Sequence, residues 1–514
     1  MLSITPSKRS VVRMMEPTAW AAEQFGSVDL GDVRRTTRLV RVAASAAMAP
    51  AGTVTAVFTD DAERQGAYDF LESKHVDPDA LERGVAEALA RRCATEERIL
   101  VPVDGSSLSF VDRTGKRGLG AVGTYEAGAV GMKVISALAL TTDGVPIGLL
   151  RQVFWRRPVQ RPTNRRPAKK RPISKKETRH WLDAVNTSAE RIGAVSGAPR
   201  ITFLVDREGD SAAMLCTLVA TKHDFIVRGN WDRTVRAADG RPWKVRTLMG
   251  YETQLGSYDV ELAGGPGRSA RFAHVTLRAV DVIVPLRDPT TGKRREVKVS
   301  AINAREMVRC PTGEELLDWL LLTNFRVENF AQAREVVSTY SLRWRIEEFH
   351  RTWKSSHCNV EDSQLRSERA LRKWALIMAA VATRIERLKL LARTKPDLPA
   401  DLEFSEIELH TLLLLKRRSK KKTETVPTPC RPSHKQLSGL PSSVAIPANP
   451  PADRPAPSQS HADSPNFALA PMRSPHSSRP TMKRTDEWSG PEGVATRVCP
   501  SSPRIAHASS SPTG

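Results

Sequence analysis

The sequence predicts an α/β core that carries an inserted β subdomain, with a helical N-terminal domain before it and a disordered tail after it. Three observations predict this class. Residues 17–96 have helix-start signals and a helical composition, apolar strand-like runs begin at Arg98 and alternate with helices, and the composition changes sharply near Pro427. A chain of 514 residues is long enough for about two to four domains and at least one large core.

The charge balance of the chain favours a polyanionic partner. The sequence has 79 Lys and Arg against 57 Asp and Glu, a net charge of +22, and nucleic acid is the simplest partner for such a surplus. A basic protein whose charge serves only solubility is the alternative. No apolar run approaches the ~18–20 residues of a membrane span, and none at the N-terminus resembles a secretory signal. The 6 cysteines are far apart and show no C-x-x-C spacing, which fits a reducing cytoplasm.

The N-terminal domain is predicted at 17–96, after a flexible leader at 1–16. Asp77-Pro78 is typical of a helix start, and Asp32 is the expected cap of an earlier helix. That earlier helix carries a basic face made of Arg34, Arg35, Arg38 and Arg41. The face predicts either a helix that contacts DNA or an ordinary solvated surface, and helical spacing alone does not decide between them.

The core is predicted in two parts, 97–231 and 314–395, on either side of a β subdomain at 232–313. Strand candidates and helix candidates alternate through both parts. The strands are expected at 99–104, 132–140, 145–150, 201–206, 225–228 and 316–323, and the helices at 177–192, 211–220, 331–356 and 368–391. Residues 156–176 hold ten Lys or Arg, four Pro and no acid, so they are expected to form an exposed loop that could lie along a phosphate backbone.

Three acids are candidates for chemistry: Asp104, Asp206 and one acid of the pair Glu347-Glu348. Each aspartate follows an apolar strand, and ligands bind at strand ends in open α/β sheets. Carboxylates from adjacent elements form a hard oxygen site that suits Mg²⁺, and two such ions could support phosphodiester cleavage. The alternative is that an Asp after a strand merely starts a turn.

The helix predicted from Tyr340 to Lys354 carries one acid among several cations. At 100° per residue, five side chains lie within roughly 80° of one face. They are Tyr340, Arg343, Glu347, Arg351 and Lys354. Simple i,i+4 pairing on a surface helix is one explanation. Because the cations outnumber the acid, we expect positive charge to remain for a phosphate backbone beside a metal ligand.

The spacing Tyr340, Arg343, Glu347, Lys354 resembles the Y-R-E-K signature of bacterial insertion-sequence transposases of the IS-four family. The strings at 30–38, 103–109, 205–210 and 340–350 are similar to that family as well, and the resemblance covers about residues 17–395. It implies a ribonuclease-H-like catalytic core that performs cut-and-paste DNA transposition. It also implies a homodimer on double-stranded DNA, both transposon ends and target, in a cytoplasmic, nucleoid-associated protein.

The resemblance implies roles for individual residues. Asp104, Asp206 and Glu347 match the family's catalytic triad, which would hold two Mg²⁺ ions, with Mn²⁺ as a substitute. Tyr340 and Arg343 would hold phosphates near the transposon end, and Lys354 a terminal phosphate. The remaining DNA contacts are expected at Arg34, Arg35, Arg38, Arg228 and Trp319. Trp319 would stack on a flipped base, although a strand tryptophan that fills the core is the alternative.

The implied mechanism has four steps. A water nicks one strand at the transposon end, and the freed 3′-OH attacks the opposite strand to give a hairpin. A second water reopens the hairpin, and the 3′-OH then attacks target DNA. Positioning and metal electrostatics would do most of this work, because the protein supplies no covalent nucleophile.

The C-terminal region departs from the family. A partial helical region is expected at 396–426, and the Pro- and Ser-rich stretch at 427–514 is expected to be disordered because it has too little apolar surface to offset its ordering entropy. We hypothesise a frameshift near Val426 that replaced a dimerisation region; a true disordered tail that binds DNA is the alternative. A non-catalysing DNA-binding relic or inhibitor is therefore the second hypothesis for function. A stand-alone ribonuclease-H-like nuclease or Holliday-junction resolvase is the third.

Overall fold

A computed structural model describes residues 17–161, 171–262, 270–307 and 316–395, together with Leu409. The expected leader at 1–16, most of the expected helical region at 396–426, and the tail lie outside the described residues. None of the helices in the described residues combines the length and the hydropathy that a membrane-spanning segment needs.

The N-terminal region is helical, as the sequence predicted. Its helices are α1 (Pro17–Phe25), α2 (Val33–Met48), α3 (Val54–Val57), α4 (Asp61–Glu72) and α5 (Pro78–Cys93). The predicted caps are confirmed: a carboxylate oxygen of Asp32 accepts from the backbone N–H of Arg34, and one of Asp77 accepts from that of Ala80. Each cap satisfies one of the backbone donors that a helix start leaves free.

The strands of the described residues form one sheet. They are β1 (Arg98–Ser109), β2 (Gly120–Ala121), β3 (Val130–Leu140), β4 (Pro146–Trp155), β5 (Arg200–Val205), β6 (Asp224–Arg228), β7 (Thr234–Arg236), β8 (Pro242–Lys244), β9 (Gly256–Leu262), β10 (Arg271–Arg287), β11 (Arg294–Glu306) and β12 (Asp318–Thr323). The order is β2-β3-β1-β5-β6-β12-β11-β10-β7-β8, with β4 paired to β3 and β9 paired to β10.

The centre of the sheet is mixed. β1, β5 and β6 run parallel to one another, and β3 and β4 continue the sheet beyond β1 as antiparallel strands. The parallel register of β1 with β5 ends at Val103 opposite Val205. The residue that follows Val103 is Asp104, and the residue that follows Val205 is Asp206. The two aspartates therefore lie side by side at the carboxyl end of this pairing.

The strands of the predicted β insertion are hydrogen-bonded into this same sheet. β11 pairs with β12, and β12 pairs with β6 at the core. The insertion also contains a short helix, α8 (Val245–Tyr251). The sheet is therefore continuous from the core into the insertion in the described residues.

Helices cover both faces of the central sheet. They are α6 (Thr178–Gly193), α7 (Ala212–Ala220), α9 (Phe330–Ser341), α10 (Arg345–Arg351) and α11 (Glu368–Thr394). Side chains of β5 alternate between two hydrophobic cores: Phe203 and Val205 lie in the core with α6 and α7, whereas Leu204 lies in the core with α9, α10 and α11. This alternation is the two-residue period of a strand that is buried on both faces.

The single long helix predicted over 331–356 is wrong in detail. α9 ends at Ser341, a tight 3₁₀ turn spans Leu342–Trp344, α10 follows, and a π turn spans Thr352–Ser356. The backbone keeps right-handed helical angles through the first junction, so the chain direction is preserved while the number of residues per turn changes. A uniform 100° phase therefore does not hold from Tyr340 to Lys354.

The N-terminal helices dock on α11. The indole N–H of the buried Trp374 donates to the carbonyl of Gly52 at 2.8 Å, and the buried Lys373 ammonium donates to the carbonyl of Ser73 at 2.7 Å. A Cβ at Gly52 would lie 1.9 Å from the carbonyl oxygen of Asn359, so only glycine permits this approach. These contacts fix the N-terminal helices against the core.

Candidate active site

Asp104 lies within β1, not at its end. The sequence predicted a strand that ends at Asp104, but β1 continues to Ser109 because β3 pairs with it over the whole of that extension. The expectation was therefore wrong for this strand end, although the parallel pairing with β5 does stop one residue earlier. Oδ1 of Asp104 accepts the backbone N–H of Gly105 at 2.8 Å.

Asp206 directly follows β5, as predicted. It starts the short turn Arg207–Gly209, and the phenol of Tyr340 donates to its Oδ1 at 3.1 Å. The guanidinium of Arg228, at the end of β6, lies 3.9 Å from the same oxygen. The Asp206 carboxylate thus has one hydroxyl donor, Tyr340, and one nearby cation, Arg228, in addition to Arg343.

Glu347 is in the first turn of α10, one turn after Arg343. Nη2 of Arg343 donates to Oε1 of Glu347 at 2.6 Å. Its neighbour Glu348 instead pairs with Arg345 at 2.7 Å. The predicted choice of Glu347 as the acid on the face of Tyr340 and Arg343 agrees with this arrangement.

Arg343 contacts all three acids. Its Nη1 lies 3.6 Å from Oδ2 of Asp104, and its Nη2 lies 3.8 Å from Oδ2 of Asp206 and 2.6 Å from Glu347. The side chain is only 6% exposed, and Nη1 is buried without a hydrogen-bond partner in the described residues. The sequence analysis predicted unpaired positive charge on this helix. In the structure, Asp104 of β1 and Asp206, which follows β5, lie beside the Arg343 guanidinium and offset its charge.

The three carboxyl groups differ in pKa. Burial raises the pKa of Asp104 to about 8, and the Glu347 and Asp206 carboxylates add to the rise, while Arg343 opposes it. Burial also raises the pKa of Glu347 against the effect of Arg343. For Asp206, burial is outweighed by Arg343, the backbone N–H of Arg207 and the Arg228 guanidinium, so its pKa is below the ordinary value. One guanidinium therefore does not keep all three acids ionised.

The donor set fits a divalent cation in its chemistry. Carboxylate oxygens from Asp104, Asp206 and Glu347 are hard ligands of the kind that Mg²⁺ takes, and a dication would favour the ionised form of every acid. In the described ranges, no three Asp, Glu, His or Cys side chains are gathered closely enough to hold a metal ion. The acids face the guanidinium of Arg343 instead.

Two aromatic rings and one guanidinium pack together next to Asp206. The rings of Trp319, in β12, and Tyr340 meet edge to face with centroids 5.4 Å apart, and the guanidinium carbon of Arg228 lies 5.6 Å from the centroid of the Trp319 ring. Trp319 is 6% exposed, so its ring faces protein rather than solvent in this conformation. Burial raises the pKa of Tyr340 above its ordinary value, and the Asp206 carboxylate adds to this rise, so its phenol stays protonated.

Lys354 is in the π turn after α10. Its ammonium lies 3.7 Å from Oε1 of Glu361, and this carboxylate also accepts the backbone N–H of Ser109 at the end of β1. The side chain is about a quarter exposed. Lys354 thus has an acid partner, Glu361, that the sequence analysis did not include.

Three residues near the acids were missed by the sequence reasoning. Glu208 has a pKa raised by burial and by the Asp206 carboxylate. Lys133, on β3, is half-buried; burial lowers its pKa, and Lys354 and Arg157 lower it further. His350, in α10, is buried beside Ser136 Oγ at 3.3 Å. Glu208 lies in the acid-rich string after β5, which is a usable signal; the other two are visible only from strand register and packing.

The predicted basic face of α2 is only partly free. Arg34 is 88% exposed and its guanidinium pairs with Asp32 at 3.0 Å. The guanidinium of Arg35 donates to the carbonyl of Leu30 at 2.9 Å, and that of Arg38 pairs with Glu63 at 3.2 Å. The three arginines lie on the same helix, but each has a different protein partner that DNA would have to replace.

Comparison with known protein families gives two matches. Residues 17–76 match the family described as transposase DNA-binding, and residues 131–384 match the family described as transposase DDE domain. The first match contains α2 with its arginines, and the second contains Asp206 and Glu347, whereas Asp104 precedes it. Together the two matches cover well over half of the chain. The protein therefore has the domain composition of a DDE-type DNA transposase, with an N-terminal DNA-binding domain followed by its DDE domain.

Proposed function

We propose that this protein catalyses cut-and-paste transposition of an insertion sequence of the IS-four family. The observation that carries the proposal is the convergence of Asp104, Asp206 and Glu347 on Arg343, from two strands and a helix. The sheet supports a ribonuclease-H-like core, because the parallel strands β1, β5 and β6 are continued beyond β1 by the antiparallel strand β3 and then by β4, which pairs with β3.

Asp104, Asp206 and Glu347 are the proposed metal ligands. Two Mg²⁺ ions at these acids would supply an activated water and stabilise the leaving 3′ oxygen. Arg343 and Tyr340 would orient the scissile strand through phosphate contacts, since a guanidinium fork suits phosphate and the phenol is a protonated donor. Their present acid partners would then be taken over by the metal ions.

The other proposed DNA contacts lie on two surfaces. Arg34, Arg35 and Arg38 belong to the matched DNA-binding domain and would hold the transposon end. Arg228, Trp319 and Lys354 belong to the DDE domain and would hold the strands near the acids. For Trp319 to stack on a flipped base, its buried ring would have to turn out of its contact with Tyr340.

The experiment that tests the proposal is strand cleavage. A labelled DNA duplex that carries the terminal repeat of the protein's own element is incubated with purified full-length protein and Mg²⁺. The wild type should nick the repeat end and then form a hairpin. Glu347→Gln should lower the cleavage rate about a thousandfold, because the loss of a metal ligand removes several kcal/mol of transition-state stabilisation.

Glu348→Gln is the matched control. It removes the adjacent carboxylate of the same helix turn, which pairs with Arg345. Its cleavage rate should stay within a few-fold of the wild type. Equal loss in both variants would contradict the assignment of Glu347. End binding by the wild type without any nick would favour the relic or inhibitor.

Dimerisation is tested on the same DNA. A synapsing transposase should bring two labelled ends into one complex, measured as energy transfer between fluorophores on separate duplexes. The proposed homodimer requires such a complex at protein concentrations that support cleavage. A complex of one protein with one end, at every concentration that cleaves, would contradict it.

A further inference from the structure

Arg343 is a buried cation with an incomplete set of partners. Its guanidinium forms one short hydrogen bond, to Glu347, whereas its separations from the oxygens of Asp104 and Asp206 exceed hydrogen-bond distance. The buried Nη1 donates to no acceptor in the described parts of the chain. A buried donor without an acceptor is costly, so this position favours the arrival of a further acceptor.

The position of Arg343 conflicts with a divalent ion at the same acids. An ion held at about 2.0–2.1 Å from carboxylate oxygens would lie close to a guanidinium that contacts all three carboxyl groups. Two cations at such a distance in a buried site repel each other strongly. The guanidinium and the metal ions are therefore competitors for the same oxygens.

DNA offers the acceptor that would resolve this competition. A phosphate accepts two parallel hydrogen bonds from a guanidinium fork, and Arg343 lies on the turn that leads into α10, where the chain already departs from regular α-helix. A phosphate at the site would satisfy Nη1 and draw the guanidinium from the acids. The three carboxyl groups would then be left without their counter-cation.

We propose that Arg343 is an internal counter-cation that keeps the metal site closed in the absence of DNA and opens it by moving to a DNA phosphate. This inference rests on the proposed function, because it takes Asp104, Asp206 and Glu347 as the metal ligands. Metal loading is then coupled to DNA binding, which restrains the free protein from cutting DNA that it has not positioned.

The test measures Mn²⁺ binding. The bound fraction is determined from the decrease of the electron paramagnetic resonance signal of free Mn²⁺. Wild type, Arg343→Gln and the control Arg345→Gln are titrated with Mn²⁺ alone, and then with a duplex carrying the terminal repeat. Arg345 pairs with Glu348 and leaves the triad untouched in the described contacts. Without DNA, Arg343→Gln should bind Mn²⁺ at least ten times more tightly than the wild type, and Arg345→Gln should match the wild type. DNA should tighten Mn²⁺ binding by the wild type at least ten times and that by Arg343→Gln much less.

Arg343→Lys keeps the proposal falsifiable if Arg343→Gln does not fold, which far-ultraviolet circular dichroism reports. Lysine retains the charge but not the fork, so its Mn²⁺ affinity without DNA should be as weak as that of the wild type and should gain less from DNA. Equal DNA-dependent gains for Lys and Arg would overturn the proposal, as would Arg343→Gln binding Mn²⁺ no more tightly than the wild type. Failure of strand cleavage would count against the proposed function, and it is measured separately from these affinities.

Discussion

Glu82 joins the N-terminal helices to the core, and its replacement by Gln should destabilise the whole protein. The side chain belongs to α5 and is 4% exposed. Its two oxygens accept four hydrogen bonds: one from Arg151 at 2.8 Å, two from Arg191 at 2.8 and 2.9 Å, and one from the backbone N–H of Gln152 at 3.1 Å. These donors come from β4 and α6, so one carboxylate connects three elements.

The magnitude follows from what Glu82→Gln leaves behind. The amide keeps the shape but offers one acceptor oxygen and turns two N–H donors toward Arg151 and Arg191. Arg151 keeps Asp183 as an acid partner, and Arg191 keeps the carbonyl of Leu150 as an acceptor, but both lose the shared Glu82 carboxylate. Loss of one partner from a buried ion pair costs about 3–5 kcal/mol. Because the Arg151 and Arg191 side chains are 20% and 10% exposed, water compensates in part, and we expect the lower end, about 3 kcal/mol.

The assay is urea-induced unfolding, followed by tryptophan fluorescence and far-ultraviolet circular dichroism. Glu87→Gln is the control, because Glu87 is an exposed acid of the same helix and its replacement should change the free energy of unfolding by less than about 0.5 kcal/mol. The two probes should give one shared midpoint for each protein. If Glu82→Gln lowered the free energy of unfolding by under about 1 kcal/mol relative to Glu87→Gln, the proposed role of this carboxylate would be refuted.

Three further substitutions should have measurable effects. Trp374→Phe removes the indole donor to the carbonyl of Gly52 and should cost about 1–3 kcal/mol of stability in a thermal melt; an unchanged midpoint would contradict the docking contact. Burial lowers the pKa of His350 to about 3, so the unfolded chain takes up this proton first as the pH falls below about 6.5, and stability is lost progressively from there toward pH 3. His350→Gln should therefore make the melting temperature depend less on pH over this range. If the variant and the wild type showed the same dependence of melting temperature on pH, the assignment of this effect to His350 would be contradicted. Lys133→Met should weaken binding to end DNA and reduce the slope of log affinity against log salt by about one, measured by fluorescence anisotropy; an unchanged slope would mean that Lys133 meets no phosphate.

Local signals in the sequence predicted much of the fold. Asp32 and Asp77 cap helices where the sequence places them, because a cap needs only a side chain and the next three residues. Strand pairing is different, since it depends on residues far apart in the chain. The extension of β1 past Asp104 exists because β3 pairs with it, and the continuity of the sheet into the insertion exists because β11 pairs with β12. Neither partner is visible in the local pattern.

The candidate site was predictable in its members but not in its electrostatics. The resemblance selected Asp104, Asp206 and Glu347, and the structure brings each of them within 3.8 Å of Arg343. The helical phase predicted unpaired cations on one face, because it considered the acids of that helix alone. Only the tertiary structure supplies the two aspartates that surround Arg343, and only it shows that Trp319 packs on Tyr340.

Neighbouring residues of α11 support both the proposed end-binding helices and the proposed catalytic acid. Trp374 holds the loop at Gly52 on one side, and on the other the carbonyl of Ala375 accepts the indole N–H of Trp353 at 2.9 Å. The Trp353 ring stacks on Phe349, which is in α10 with Glu347. Because α11 is a continuous, largely buried helix, we expect a displacement of the N-terminal helices to reach α10 through these adjacent residues. Loosening of this helix should therefore impair the accuracy of cleavage before it impairs DNA binding.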